Sequence, residues 1–287
     1  MIKRSFLGLA TPKLQYNSAL DSAQDIPVPS TVTLLLKESE GGGGAGGLKV
    51  GDGVKTGQRL AASPESAEYV ISSVTGSISS LAPHVDAFGH RFTAITIKAV
   101  GQDDWDGEFG KEATLDAAVK FFESAPGNPS FKAFADPEKT ITTIIINGMD
   151  QDLLVTANQS VVQNNGADIK EGVDALKKIT GVDRIMITVP EGLVQQASAT
   201  GAEVKTVSAT YPAGLPHMIM KDVVGQVVEA GDTLADAGVV FISAEAAAAI
   251  GSAFSTGRLP VTKVVTVVGK DGKTTNVKAR IGTPIGD

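Results

Sequence analysis

Apolar and polar residues alternate along residues 31–36, 48–58, 70–81 and 92–97, the period-two pattern of strands with one buried face. Gly51-Asp52-Gly53 interrupts the second segment and Gly76 the third, so each reads as short strands about a tight reversal. The spacing then changes. Leu115, Ala118, Val119 and Phe122 fall on one face of a helix over 111–122. β-Branched runs at 140–146, 184–189, 203–208 and 238–243 predict further strands. Between and after them, helices are predicted over 158–180, 191–199, 217–228 and 245–254, the first with Val161, Val162, Ala167, Val173, Leu176 and Ile179 inward. This β-α-β-α-β order argues for a largely parallel sheet. Residues 260–281 alternate about Gly269–Lys273 and predict a hairpin that opens a third module. The fold class is α/β plus β, with boundaries at 1–100, 101–255 and 256–287 and an acidic linker at 101–110.

Composition removes several function classes. The chain has 287 residues, a formal net charge of −7, 42% hydrophobic and 20% charged residues, ordinary for a folded soluble domain pair. The acidic balance lacks the basic stripe that phosphate backbones need, so nucleic acid is not an expected partner. Without cysteine the chain offers no thiolate for a metal, an Fe–S cluster or a nucleophile. No apolar run approaches the roughly 18 residues of a membrane span. Lys3 and Arg4 precede an apolar stretch too short for a signal peptide. A cytoplasmic place, free or on the inner face of a membrane, is expected.

The glycine run at 41–47 satisfies Gly-x-Gly-x-x-Gly after a strand. A dinucleotide loop must open a helix whose amides hold the phosphate, and a β-turn pattern follows instead, so the run reads as a surface loop. His84, His90 and His217 lack metal-ligand spacing; His84 and His90 read as solvated loop residues. Asp86 is close enough to orient His84 or His90. No Gly-x-Ser-x-Gly elbow is present. The turn Asn147-Gly148-Met149-Asp150-Gln151-Asp152 follows a buried strand, where parallel sheets bind ligands. It is either a small-molecule site or a plain turn with Asp150 or Asp152 capping the next helix. Tyr211-Pro212-Ala213-Gly214 holds the matching place after a later strand, and Tyr211 and His217 offer stacking or hydrogen bonding.

The run Val50-Gly51-Asp52-Gly53-Val54-Lys55-Thr56-Gly57-Gln58, with its second Gly-centred strand pair, resembles a lipoyl- or biotinyl-type sandwich barrel. In such barrels a lysine at a hairpin tip carries the cofactor. The corresponding stretch, 59–69, contains no lysine, so this barrel is read as structural or as a docking surface.

Four stretches together resemble the C subunit of Rnf electron-transport complexes, and more distantly the A subunit of sodium-pumping NADH:quinone reductases. They are 25–29 with 48–58; 144–152; 210–224 with Tyr-Pro-x-Gly; and 259–287 with Arg280-Ile281-Gly282-Thr283-Pro284. The resemblance implies a lipoyl-like sandwich barrel, a Rossmann-like FMN/NADH domain, a β-grasp (SLBB-like) module that is only begun here, and a ferredoxin-like domain that is missing. The chain is then either an excised piece or a short paralogue. Such subunits sit on the cytoplasmic side of a membrane complex, beside its other subunits, and pass electrons from NADH through FMN to Fe–S clusters. Carried over, the flavin phosphate falls near Gly127, Asn128, Ser130 and Lys132, with Asn147, Asp150, Asp152 and Tyr211 near the cofactor. The pattern departs at both motifs. Where the family has Gly-Gly-Ala-Gly-Phe-Pro-Thr, this chain has Ala125-Pro126-Gly127-Asn128-Pro129-Ser130-Phe131, and Gln151 replaces a cysteine. Two functions therefore stand: electron input to an ion-translocating NADH:ferredoxin oxidoreductase, or a non-catalytic assembly and docking module that has lost its cofactor.

Overall fold

In a computed structural model, residues 14–18, 22–38 and 46–286 are described; the glycine run at 41–45 lies outside them. Strand β1 is Gln24–Asp25, β2 Thr31–Lys37, β3 Gly53–Val54, β4 Arg59–Ala61, β5 Tyr69–Ile71, β6 Gly76–Val85 and β7 Arg91–Ala99. Strands β2-β7-β6-β3 form an antiparallel sheet and β4-β5 a facing two-stranded one. Alternation drives this half of the fold. Val32, Leu34 and Leu36 of β2 meet Ile95 and Ile97 of β7 inside the barrel, with Leu60, Val74 and Ile78.

The second half contains α1 (Leu115–Phe122), α2 (Lys132–Ala135), β8 (Thr143–Asn147), α3 (Ala157–Asn164), α4 (Gly166–Thr180), β9 (Arg184–Val189), α5 (Val194–Ser198), β10 (Glu203–Thr206), α6 (Pro216–Ile219), β11 (Val239–Ser243) and α7 (Ala244–Thr256). Strands β10-β9-β8-β11 are all parallel. Strand β8 is buried along its length, as a strand covered on both faces must be. Last come β12 (Thr262–Val268) and β13 (Thr274–Arg280), an antiparallel hairpin that β1 joins in parallel through Gln24↔Val277.

Several elements differ from the sequence reading. The helix expected over 158–180 is two helices broken at Asn165, whose φ/ψ of −118°/32° is non-helical. The side chains there compete with the backbone: Asn164 Nδ2 donates to Ser160 O at 2.8 Å and Asn165 Nδ2 to Asp168 Oδ2 at 3.0 Å. The break turns Ala167 outward and Ile169 inward. Helix α1 starts at Leu115 because Thr114 Oγ1 accepts from Ala117 N. It buries Phe121 and leaves Val119 37% exposed. The expected linker is packed: Phe109 is buried edge-on against Phe121, Phe122 and Phe254. The helix expected over 217–228 ends in a π-helical turn at Met220–Val224, stopped by Gly225 at φ 78°.

Hydrogen bonds at the C-terminal hairpin fix how it meets the barrel, and a close helix contact fixes the α/β half. Arg280 donates from Nη1 to Ser73 O and from Nη2 to Asp103 Oδ2 at 2.5 Å, while Thr33 N donates to Gly282 O. The Arg-Ile-Gly stretch of the resemblance thus ties the hairpin to the barrel. Helices α4 and α7 approach backbone to backbone. A Cβ on Gly172 would lie 2.0 Å from Ala247 O, and one on Gly251 1.9 Å from Asp168 O. Replacing Gly251 with Ala adds about 1 kcal/mol of helix propensity but forces the helices apart, and overpacking of that kind costs more. Gly251→Ala should therefore destabilise the chain by a net of about 2 kcal/mol in urea denaturation; an unchanged or raised midpoint would refute the close contact.

Candidate functional site

Strand order reverses between β8 and β11, with β9 and β10 on one side only. The carboxyl ends of β8 and β11 are the switch point where open α/β sheets bind ligands. Helices α3 and α7 begin there, and residues 124–128 lie across them. Together they border an open cleft of about 420 Å³ lined by Pro126, Gly127, Asn128, Asn158, Ser243 and Glu245, with Lys263 from the hairpin.

The helix amides that would hold an anion are engaged by the chain itself. Asp150 is 1% exposed. Its carboxylate accepts from Asn158 N (2.9 Å) and Nδ2 (3.3 Å) and from Gln159 N (3.4 Å) and Nε2 (3.3 Å). It is the cap of α3. Burial pushes its pKa up to about 6, against the pull of those donors. At α7, Ser243 Oγ accepts from Ala246 N at 3.1 Å and donates to Gly127 O at 3.4 Å. Glu245 N donates to Asn158 Oδ1 at 3.2 Å. The Glu245 carboxylate holds Lys263 Nζ at 2.6 Å and Val264 N at 3.0 Å.

The residues singled out in the sequence divide into separate places. Gly127 packs against the start of α7. Its φ is 79°, and a Cβ would fall 2.3 Å from Ser243 Oγ and 2.6 Å from Ala246 N. Its glycine is required by packing, so Gly127→Val disrupts the loop with or without a ligand. Asn128 borders this cavity and also a second of about 500 Å³, which Ser130 and Lys132 line with Lys37, Glu68 and Tyr69 of the barrel. Lys132 Nζ stands 4.0 Å from Glu123. Asn147 is buried, with Oδ1 accepting from Met149 N and Thr188 Oγ1 and Nδ2 donating to Gly214 O. It ties the turn after β8 and the loop holding Gly214 to strand β9. Asp152 is exposed. Tyr211 is partly exposed, its ring 6.0 Å from that of Tyr16. Between the two strand-end loops runs the segment 14–18. Tyr16 N donates to Ala209 O, Asn17 N to Leu153 O, and Tyr211 N to Leu14 O. Of the histidines, His90 is the one that Asp86 orients, Nδ1 to Oδ2 at 2.8 Å.

Asn158, Ser243, Glu245 and Tyr16 were not among the residues the sequence offered. Ser243 ahead of an Ala-rich helix is a readable N-cap signal; the others act across long sequence separations that no local pattern marks. For a flavin phosphate, the cavity offers one cation, Lys263, already neutralised by Glu245, and helix amides that are engaged. As arranged, these residues do not fit that group.

Residues 126–259 match the family model of the NqrA second alpha/beta domain, and residues 5–102 that of the RnfC barrel sandwich hybrid domain. The C subunit of the ion-translocating oxidoreductase complex of Klebsiella pneumoniae is 27% identical over 97% of this chain and 40% of its own length. The C subunits of the same complex from Erwinia tasmaniensis and Salmonella typhimurium are 26% and 25% identical over 97% of this chain, covering 37% and 41% of theirs. The chain thus spans about two-fifths of the length of these curated relatives. A crystal structure of an NAD+-reducing [NiFe]-hydrogenase in the H2-reduced state shares the fold, with a TM-score of 0.50 at 14% identity over 63% of this chain and 39% of that one. The resemblance to the Rnf-type C subunit therefore holds along the chain, and the barrel is of the barrel-sandwich type.

The buried carboxylate of Asp150 makes a pH prediction. Its folded pKa of about 6 lies above the ordinary aspartate value of 3.8, so its contribution is full below pH 4 and is lost as pH rises through 6. Between pH 4 and pH 7 this group alone should cost roughly 2 kcal/mol of stability. Asp150→Asn removes that component. Urea denaturation of variant and wild type across this range should show a stability difference that moves with rising pH in the variant's favour; a pH-independent difference would contradict the assignment.

Proposed function

We propose that this chain, related along its length to the C subunit of ion-translocating oxidoreductase complexes, is a docking and assembly part of such a membrane-bound complex rather than its flavin-bearing entry point. The observation that carries this reading is the self-capping at the carboxyl ends of β8 and β11. Asp150, Asn158 and Ser243 take the amides of α3 and α7, and the Glu245 carboxylate in the first turn of α7 neutralises Lys263, the cation beside them. The segment 14–18 supports it by bridging the loops after β8 and β10, where a dinucleotide would enter. No helix among the described residues is long and apolar enough to cross a membrane. Attachment then runs through other subunits, peripherally on the cytoplasmic face. Fold likeness to redox proteins does not by itself bring an activity.

The competing reading, NADH oxidation at FMN, has one observation in its favour: a cavity of about 420 Å³ persists where two helices begin, and that size suits a small ligand. The readings separate by titrating FMN with the purified chain and following flavin fluorescence. No saturable quenching at micromolar concentrations, and no NADH-dependent bleaching of added flavin, is expected. Saturable binding would restore the electron-input reading.

A further inference from the structure

Residues 14–18 lie against the α/β half as a bound peptide would. Gln15 bridges Thr210 in the antiparallel sense. Tyr16 N donates to Ala209 O at 2.9 Å, Asn17 N to Leu153 O at 2.8 Å and Tyr211 N to Leu14 O at 2.8 Å. These bonds join main chain to main chain, so they would serve any extended segment laid along the same loops, as in strand addition. Gln159 Nε2 adds a bond to Asn17 O at 2.9 Å. Tyr16, 5% exposed, is the one buried side chain of the five; Leu14, Gln15 and Ser18 are exposed and Asn17 half-buried.

The Tyr16 ring enters an apolar cluster with Val207, Ile219 and three of the chain's five methionines, Met149, Met186 and Met220. Methionine is unbranched and polarisable, so a slot built from it adapts to different aromatic occupants. Gly214 leaves room for the phenol, since a Cβ there would stand 3.2 Å from Tyr16 Oη. The fit is incomplete. Tyr16 Oη is buried without a hydrogen-bond partner among the described residues, and an unpaired buried hydroxyl costs stability. A segment held by one ring and a few bonds, over the edge where a parallel sheet binds ligands, belongs to the part of a fold that opens first. We propose that residues 14–18 are an autoinhibitory strap whose Tyr16 plugs a methionine-lined slot beneath the loops after β8 and β10. When the strap leaves, the slot takes an aromatic side chain on an extended segment of another subunit. The strap defines that chemistry by its own way of binding. This rests on the docking role proposed above and adds a switch to it.

Hydrogen exchange in the wild-type chain tests the opening. Corrected for intrinsic rates, the amides of Tyr16, Asn17 and Tyr211 should exchange at least about a hundredfold faster than those of Ile145 and Ile146 in β8. A peptide tests the slot. Capped Leu-Gln-Tyr-Asn-Ser, the sequence of residues 14–18, should bind the full-length Tyr16→Gly chain saturably and at least about tenfold more tightly than it binds wild type. The same peptide with alanine for tyrosine should not bind. Strap amides as protected as those of β8 overturn the strap. So does a Tyr16→Gly chain that unfolds, or one that keeps its fold and ignores the peptide; each of these leaves the docking role standing. Saturable FMN or NADH binding by Tyr16→Gly, absent in wild type, assigns the slot to a planar cofactor ring and overturns the aromatic segment together with the docking role.

Discussion

The backbone contact between α4 and α7 is the constraint on which the rest of the molecule depends. Gly172 and Gly251 let the helices meet where any side chain would collide with a carbonyl oxygen. That depth sets where α7 begins, beside β8 and against the loop 124–128. From its first turn, Glu245 reaches Lys263 and Val264 of the hairpin. The hairpin in turn reaches the barrel through Arg280 and Ser73, with Asp103 just beyond the barrel holding the same guanidinium. One glycine-mediated approach therefore places the sheet, the switch-point loops and the C-terminal module together. An ion pair as sheltered as Arg280–Asp103 is weak evidence for stability, since desolvation opposes its attraction; its role here is to fix orientation.

Periodicity made most of the fold legible, because period two and period 3.6 report one buried face each. Val32, Leu34 and Leu36 are read correctly for that reason, as is the fully buried β8 with its Ile144-Ile145-Ile146 centre. Failures come where local chemistry or distant partners override the period. Asn164 and Asn165 break a helix whose apolar spacing continues past them. Phe121 rather than Val119 turns inward because an aromatic cluster with Phe109 and Phe254 waits for it, and Phe109 comes from a stretch whose acidity suggests a linker. The pairing of Gln24 with Val277 crosses nearly the whole chain, and no local signal marks it.

The candidate site was legible in location and ambiguous in meaning. The turn after β8 is where the topology puts ligands, and the sequence left Asp150 open between ligand contact and helix cap. Its four donors come from Asn158 and Gln159, and they make it a cap. The residues carried over by resemblance were chosen as one phosphate cradle, yet Gly127 packs on α7 while Ser130 and Lys132 line a different cavity. Resemblance transfers the path of the backbone more faithfully than the convergence of side chains, because the path depends on the buried pattern and convergence depends on single residues.

The physics of a helix N-terminus joins these points. Unpaired amides and the helix dipole place partial positive charge there, and a stable structure must answer it with an anion or with polar caps. A phosphate is one answer and a protein carboxylate is another. Asp150 at α3 and Glu245 at α7 supply the second answer from within the chain, and Asn158 links the two by accepting from Glu245 N while donating to Asp150. The fold therefore keeps the electrostatic demand of a ligand site while meeting it internally. A domain arranged this way meets that electrostatic demand from within its own chain.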